Sequence, residues 1–360
     1  MRAAVFRKGD LVVDTIADPV LAEGQVLVRT RACGICGSDL HAAKFPAQFS
    51  ALAKRGGARW NIVPDRDLVF GHEFVAEIVR NGPGTTGRFT PGTMVTSMPL
   101  TIAGQNVIGL GYNPDMPGAF AEYIPLSERM LLPVPAGMNP DHAALVEPIA
   151  VGVHAVNYAR LGADDVALVI GCGPIGLAVI AALKLRGAGP IIASDFSAAR
   201  RALARRMGAD IVVDPRTTSP YAMLADSTTP AGFDASRFAA LFATGPRRRP
   251  AVIFECVGVP GVLGEIMEGA PAGARIVVVG VCMQTDQLEP FFGIVKQLDL
   301  QFVLAYTAAE FADTLGYIAE GKVDVSPLIT GRVGLDGVKQ AFADLASPEH
   351  HAKVLVEPWR

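Results

Sequence analysis

The stretch DVALVIGCGPIGLAVIAALKLRG, Asp165 to Gly187, decides the fold. A short continuous apolar run leads into Gly171-Cys172-Gly173-Pro174-Ile175-Gly176, and an apolar run of helical length follows. Strand, glycine turn and helix in this order form a dinucleotide-binding unit. Gly171 permits the tight turn, Gly173 lets backbone approach a pyrophosphate, and Gly176 lets helix and strand pack closely. The helix start offers free N–H groups and a positive dipole end to the phosphates. Asp195 ends the next strand, nineteen residues after Gly176. A carboxylate there accepts hydrogen bonds from both ribose hydroxyls and repels a 2′-phosphate, which favours NAD over NADP. Arg200 either lies by the ribose or stands exposed on its helix. The cofactor set also takes in Pro174, Ile175, Val257, Val279 and Val281.

Working outward, PIIASD reads as a second strand and SAARRALARRMG as a helix closed by Gly208. DIVVD, AVIFECVG, a helix from about Pro260 to Glu268, and ARIVVVGV continue the alternation. That alternation predicts a doubly wound parallel sheet, and continuous apolar strands fit burial on both faces. Upstream the grammar differs. MRAAVF, DLVVDTI, QVLVRTRACG, FVAEIVR, TMVTSM, AFAEYIPL and MLLPVP are short, β-branched runs between turns, the mark of a β-rich domain. Asn139 and Pro140 suit the cap and first position of a helix covering PDHAALVEPIAVGVHAV. The end of the chain holds two amphipathic stretches and a last strand, KVLVEP. It is too small for its own domain and is expected to rejoin the first. The division is 1–151 with 304–360, and 152–303. Pro215–Pro250 reads as loop plus one helix near Ala235–Phe242, with its arginine run a solvated turn.

The 360 residues carry a net charge of −3, half are hydrophobic and 19% are charged. This balance fits a globular chain with a large core and argues against nucleic-acid binding. Five cysteines in so long a chain are no disulfide framework. MRAAVFRKGD lacks the apolar core of a signal peptide, and glycines and a proline interrupt the longest apolar stretch, Ala167–Leu183. A cytoplasmic protein is expected, with no membrane partner.

Cys36, His72, Glu73 and Glu147 form a second constellation. A thiolate, an imidazole and a carboxylate suit Zn²⁺, and three protein ligands leave a fourth position open for chemistry. Cys33 and Cys36 also read as C-x-x-C. No thioredoxin pattern surrounds them and no second pair closes a zinc cage, so Cys33 is taken as a packing residue.

These motifs together resemble the medium-chain zinc-dependent alcohol and polyol dehydrogenases. G-I-C-G-S-D-x-x-H across Gly34–His41, G-H-E at Gly71–Glu73, E-P at Glu147–Pro148, GCGPIG, Asp195 and F-E-C-x-G at Phe254–Gly258 occur in that family's order. The resemblance implies a GroES-like β domain with an inserted Rossmann domain. It implies Cys36 and His72 as zinc ligands, with Glu73 or Glu147 as the third. A glutamate at 147 resembles the sorbitol, butanediol and threonine dehydrogenase branch, in which the two glutamates can trade between zinc and water. Ser38 matches the hydroxyl that accepts the substrate's proton, and His41 the relay to solvent. Dimers or tetramers are implied. The family's structural-zinc lobe falls at about Ser97–Gly118, which has no cysteine. One zinc is therefore expected, with the lobe held by packing. Ala42–Phe70 looks longer than usual, and with Phe45, Phe49 and Trp60 it either walls the substrate pocket or caps the surface.

Local sequence favours Glu147 as the direct third ligand. In a strand, His72 and Glu73 would point to opposite faces, and Pro148 favours an extended or turn conformation at Glu147. Two carboxylates together with the thiolate would also make the site negative, so joint ligation is not expected. The expected activity is NAD-linked oxidation of a secondary alcohol or polyol. The competing readings are a non-catalytic NAD-binding protein on the same fold and a zinc-free quinone or enone reductase.

Overall fold

In the computed structural model, residues 1–360 are described except Arg59, Asn61, Pro64 and 232–247. The chain divides into two compact units, Met1–Pro148 with Thr307–Arg360, and Ile149–Tyr306.

In the second unit the glycine turn sits where the sequence demands it. The strands are β11 (Val166–Ile170), β12 (Ile191–Ser194), β13 (Ile211–Val213), β14 (Ala251–Glu255), β15 (Arg275–Val278) and β16 (Asp299–Phe302). They form one sheet in the order β13-β12-β11-β14-β15-β16, with every adjacent pair parallel. This is the doubly wound order, whose strand-end crevice binds dinucleotides. Helix α5 (Pro174–Leu185) follows β11, and α6 (Ala198–Met207) ends on Gly208 at φ +116°. Val166, Leu168, Ile192, Ile253 and Ile276 are sealed inside. Each such side chain contributes about 1.5–3 kcal/mol on burial.

The first unit opens with β1 (Arg2–Arg7), β2 (Asp10–Thr15) and β3 (Gln25–Gly34), then helices α1 (Gly37–Lys44) and α2 (Pro46–Arg55). Next come β4 (Leu68–Val69), β5 (Glu73–Asn81), β6 (Met94–Thr96), the hairpin β7 (Leu100–Ala103) and β8 (Asn106–Gly109), β9 (Tyr123–Ser127) and β10 (Leu132–Pro133). Helix α3 (Pro140–Ala143) follows, and α4 (Val146–Tyr158) starts in this unit and runs on into the second. The closing segment contains β17 (Ile329–Val333) and β18 (Lys353–Val356). The main sheet runs β10-β6-β5-β3-β18-β17, with β9 also on β3. β18 pairs antiparallel with β3, Leu355 opposite Gly34 and Val356 opposite Cys33. The C-terminal strand therefore lies against the cysteine motif, some three hundred residues away in sequence.

Four local expectations need correction. Glu147 is helical, in the first turn of α4. Pro148 is tolerated there because the first turn's N–H groups have no intrahelical partner anyway. His72 precedes the strand instead of lying in it: β5 starts at Glu73, and Gly71 turns the chain at φ +102°. Pro215–Pro250 contains a helix at Pro220–Thr228, where Ser219 caps with its side chain and Pro220 takes the first turn; the helix expected at Ala235–Phe242 lies outside the described residues. The arginine run is partly structural, since Arg249 donates to the carbonyls of Asp164 and Gly189 at 2.9 Å.

Candidate active site

Three ligand-type atoms, one each from Cys36, His72 and Glu73, lie within 4.8 Å of one another. Three local features bring them together. β3 ends at Gly34, and Cys36 is the N-cap residue of α1. The left-handed turn at Gly71 releases His72 from strand alternation, so it and Glu73 serve one site. No side chain fits at Gly71: a Cβ there would stand 2.7 Å from the Phe120 ring and 3.0 Å from Cys33 Sγ. Gly34 is equally tight, since a Cβ would fall 2.1 Å from a Glu73 carboxylate oxygen.

A buried polar layer orients these groups. Asp39, wholly buried, accepts from the Cys36 backbone N–H at 3.0 Å. Its Oδ1 lies 3.2 Å from His72 Nδ1, out of line for a straight hydrogen bond but close enough to fix the ring. Burial pulls the His72 pKa down, yet the Asp39 carboxylate and Cys36 outweigh it and hold it well above the usual imidazole value. The Ser38 hydroxyl donates to Cys36 Sγ at 3.0 Å and accepts from the Tyr112 hydroxyl at 2.7 Å. His41 stands half-buried, three residues along α1 from Ser38 and so on the same helical face. Burial and nearby Lys44 lower its pKa.

Glu73 has a partner that sequence reading missed. Lys353 Nζ donates to both Glu73 carboxylate oxygens, at 2.7 and 2.6 Å, and to the Ile35 carbonyl at 3.1 Å. Lysine and glutamate are both buried, at 1% and 0% exposure. Burial alone would depress the lysine's pKa, but Glu73, Cys36 and Glu147 raise it above the ordinary value. Glu147 is half-buried and stays outside the close donor group. Only the pairing of β18 with β3 could have exposed Lys353. Asp39 and Tyr112 are equally unremarkable by spacing, although Asp39 falls inside the quoted G-S-D motif.

In the second unit, Gly171 at φ +90° turns between β11 and α5, and Pro174 and Ile175 open that helix from its N-cap at Gly173. A Cβ on Gly176 would fall 1.8 Å from the Gly171 carbonyl, so only glycine closes the turn. Asp195 follows β12, and its carboxylate oxygens accept from Cys172 N and Ser197 N, both at 2.7 Å. Each oxygen keeps a further lone pair. The Arg200 guanidinium lies about 4 Å from where a Gly173 side chain would stand. Val257 packs against Gly171, and Val281 against Gly258. Val257 and Val281 are exposed at 40% and 42%, and Val279 is buried. Glu255 Oε1 shapes this rim by accepting from Val257 N and Gly258 N. The sequence-selected cofactor residues thus gather at the carboxyl ends of β11, β12, β14 and β15.

Residues 22–136 match the alcohol dehydrogenase GroES-like domain, and residues 174–320 match the zinc-binding dehydrogenase domain. The chain belongs to the zinc-type medium-chain dehydrogenases and is an oxidoreductase of the alcohol dehydrogenase kind. It is 32% identical to the (R,R)-butanediol dehydrogenase of Neisseria gonorrhoeae, over 99% of each chain. Identity to the (R,R)-butanediol dehydrogenase of Bacillus subtilis is 30%, over 99% of this chain and all of that one. The crystal structure of 2R,3R-butanediol dehydrogenase from Bacillus subtilis superimposes with a TM-score of 0.78 over 99% of both chains, at 28% identity. Among the described residues, no helix is long and apolar enough to cross a membrane.

Proposed function

We propose that this chain oxidises a secondary alcohol or polyol, vicinal diols foremost, with NAD as hydride acceptor and one zinc held by Cys36, His72 and Glu73. The observation that carries the reading is the convergence of thiol, imidazole and carboxylate within 4.8 Å. That donor set suits zinc and leaves a fourth position for substrate. Asp39 engages His72 Nδ1, which leaves Nε2 to donate to a metal. When bound, zinc supplies a Lewis acid that lowers the pKa of an alcohol hydroxyl. Ser38 accepts the hydroxyl proton and His41 passes it to solvent. A lowered pKa keeps the His41 ring neutral, and so able to take a proton, near pH 7. The glycine turn Gly171–Gly176 and Asp195 would hold the dinucleotide, which would supply the hydride acceptor. The same reading makes the protein a cytoplasmic homo-oligomer, a dimer or tetramer.

The test is a screen of nicotinamide reduction by the zinc-loaded protein over simple alcohols, diols, sugar alcohols and hydroxy amino acids. Turnover of diols or polyols with NAD is expected, and no reduction with any alcohol overturns the reading. Asp195 sets the cofactor arm, because a carboxylate facing a 2′-phosphate is costly. Asp195→Ala is expected to narrow the preference for NAD, whereas equal turnover of NADP by the unmodified protein contradicts it.

A further inference from the structure

Tyr112 follows β8 in the cysteine-free lobe and is 5% exposed. Its ring stacks on Phe49 at 5.4 Å, with Trp60 at 5.9 Å, Phe70 at 6.3 Å and His72 at 5.2 Å between centroids. Phe49, from α2, is itself buried at 3% exposure. The segment between the cysteine and histidine motifs therefore clamps this tyrosine ring.

The clamp aims one hydroxyl. Tyr112 Oη lies 2.7 Å from Ser38 Oγ and 3.1 Å from Asp39 Oδ1, while Ser38 Oγ lies 3.0 Å from Cys36 Sγ. A phenol carries one proton and two lone pairs, so two arrangements satisfy these distances. In one, Tyr112 donates to Ser38 and Ser38 donates to the Cys36 sulfur. In the other, Tyr112 donates to the Asp39 carboxylate and accepts the Ser38 proton. The second frees both Ser38 lone pairs to face a substrate hydroxyl.

We propose that Tyr112 is a positioning residue for Ser38: its hydroxyl, tethered by Asp39, sets the direction of the Ser38 O–H bond and holds Ser38 Oγ where it meets the substrate proton. This rests on the reading that Ser38 accepts that proton; its own proton, held toward Tyr112 until then, leaves through His41. Tyr112 touches neither substrate nor cofactor in this role.

The test uses Tyr112→Phe, which keeps the ring and removes only the hydroxyl. With butane-2,3-diol and NAD, kcat is expected to fall about tenfold while KM stays within about twofold, since the loss falls on the proton-transfer step. In a Ser38→Ala background the same change is expected to cost nothing further, because residues acting through one contact are not additive. An unchanged kcat, or an equal loss without Ser38, overturns the proposal. Cobalt-substituted protein supplies a readout without turnover. In the arrangement that turns the Ser38 proton to Tyr112, loss of the phenol frees that proton for the Cys36 sulfur 3.0 Å away, so the thiolate-to-cobalt charge-transfer band is expected to shift in Tyr112→Phe and to stay unmoved when the same change is made in a Ser38→Ala background. An identical band in Tyr112→Phe and the unmodified protein rejects Tyr112 as the positioning group. If the unmodified protein oxidises no alcohol, the dehydrogenase reading falls, and the band still decides the role of Tyr112.

Discussion

Lys353 and Glu73 form a buried ion pair, and removing one member leaves the other charged and unsolvated. Lys353→Met is expected to destabilise the fold by about 3–5 kcal/mol, measured by urea unfolding. The double variant with Glu73→Gln should recover most of that loss, since both charges are then gone. The raised pKa of Lys353 fixes the pH dependence. Its contribution is complete below the unfolded lysine value of about 10.4 and is lost only as pH rises through the higher folded value. Between neutral pH and about 10 the Lys353 contribution should therefore stay constant, adding no pH dependence to stability there. Asp39 makes a separate prediction. Asp39→Ala should weaken zinc about 10–100-fold, read by chelator competition, because His72 loses the carboxylate that orients it. The lysine also changes the charge count at the metal. Zinc, thiolate and two carboxylates total −1, and the Lys353 ammonium returns the sum to zero. With this buried cation counted, a zinc shared by Glu73 and Glu147 would leave the site neutral.

The hairpin of β7 and β8 lies in the lobe that has no cysteine. The expectation was packing alone, but the anchor is a buried hydrogen-bond network. Gln25 Nε2 donates to Thr101 Oγ1 at 3.0 Å and the Ile102 carbonyl at 3.1 Å, and Ile102 N donates to Ser127 Oγ at 2.7 Å. Gln25, Thr101 and Ser127 are 1%, 0% and 3% exposed. Gln25→Leu strands buried partners, so a loss of about 1–3 kcal/mol is expected, visible as a lower urea midpoint. Elemental analysis should find one zinc per chain; two tightly held zincs would reject this account of the lobe. Hydrophobic alternation could place the strands near this hairpin, but it carries no information on which polar residues meet across them.

For the whole molecule, β16 is an end strand of the parallel sheet among the described residues. Around it Phe291, Ile294, Val295, Phe302 and Leu304 are 62–74% exposed. An open edge beside a large apolar patch invites pairing with another chain, and a second copy offers the same edge across a twofold axis. Light scattering is expected to report a dimer or larger assembly, and Ile294→Lys with Phe302→Asp to release monomers. A monomeric unmodified protein would refute the homo-oligomer reading.

The chain order of local features was already legible in the residues. The glycine turn, the alternation of strand and helix, and the Gly208 stop depend on neighbours a few positions apart, and periodicity records such neighbours directly. The motifs carrying Cys36, Ser38 and His72 were likewise visible, because their residue types and spacing are local. Tertiary structure alone decided the rest. It set Lys353 on Glu73 by pairing the last strand with β3, seated Tyr112 on Ser38 through rings from a distant segment, and brought Glu73 into the close donor group through the turn at Gly71. Each is a contact between residues far apart in the chain, or a backbone angle that only the packing around it selects, and one-dimensional spacing contains neither.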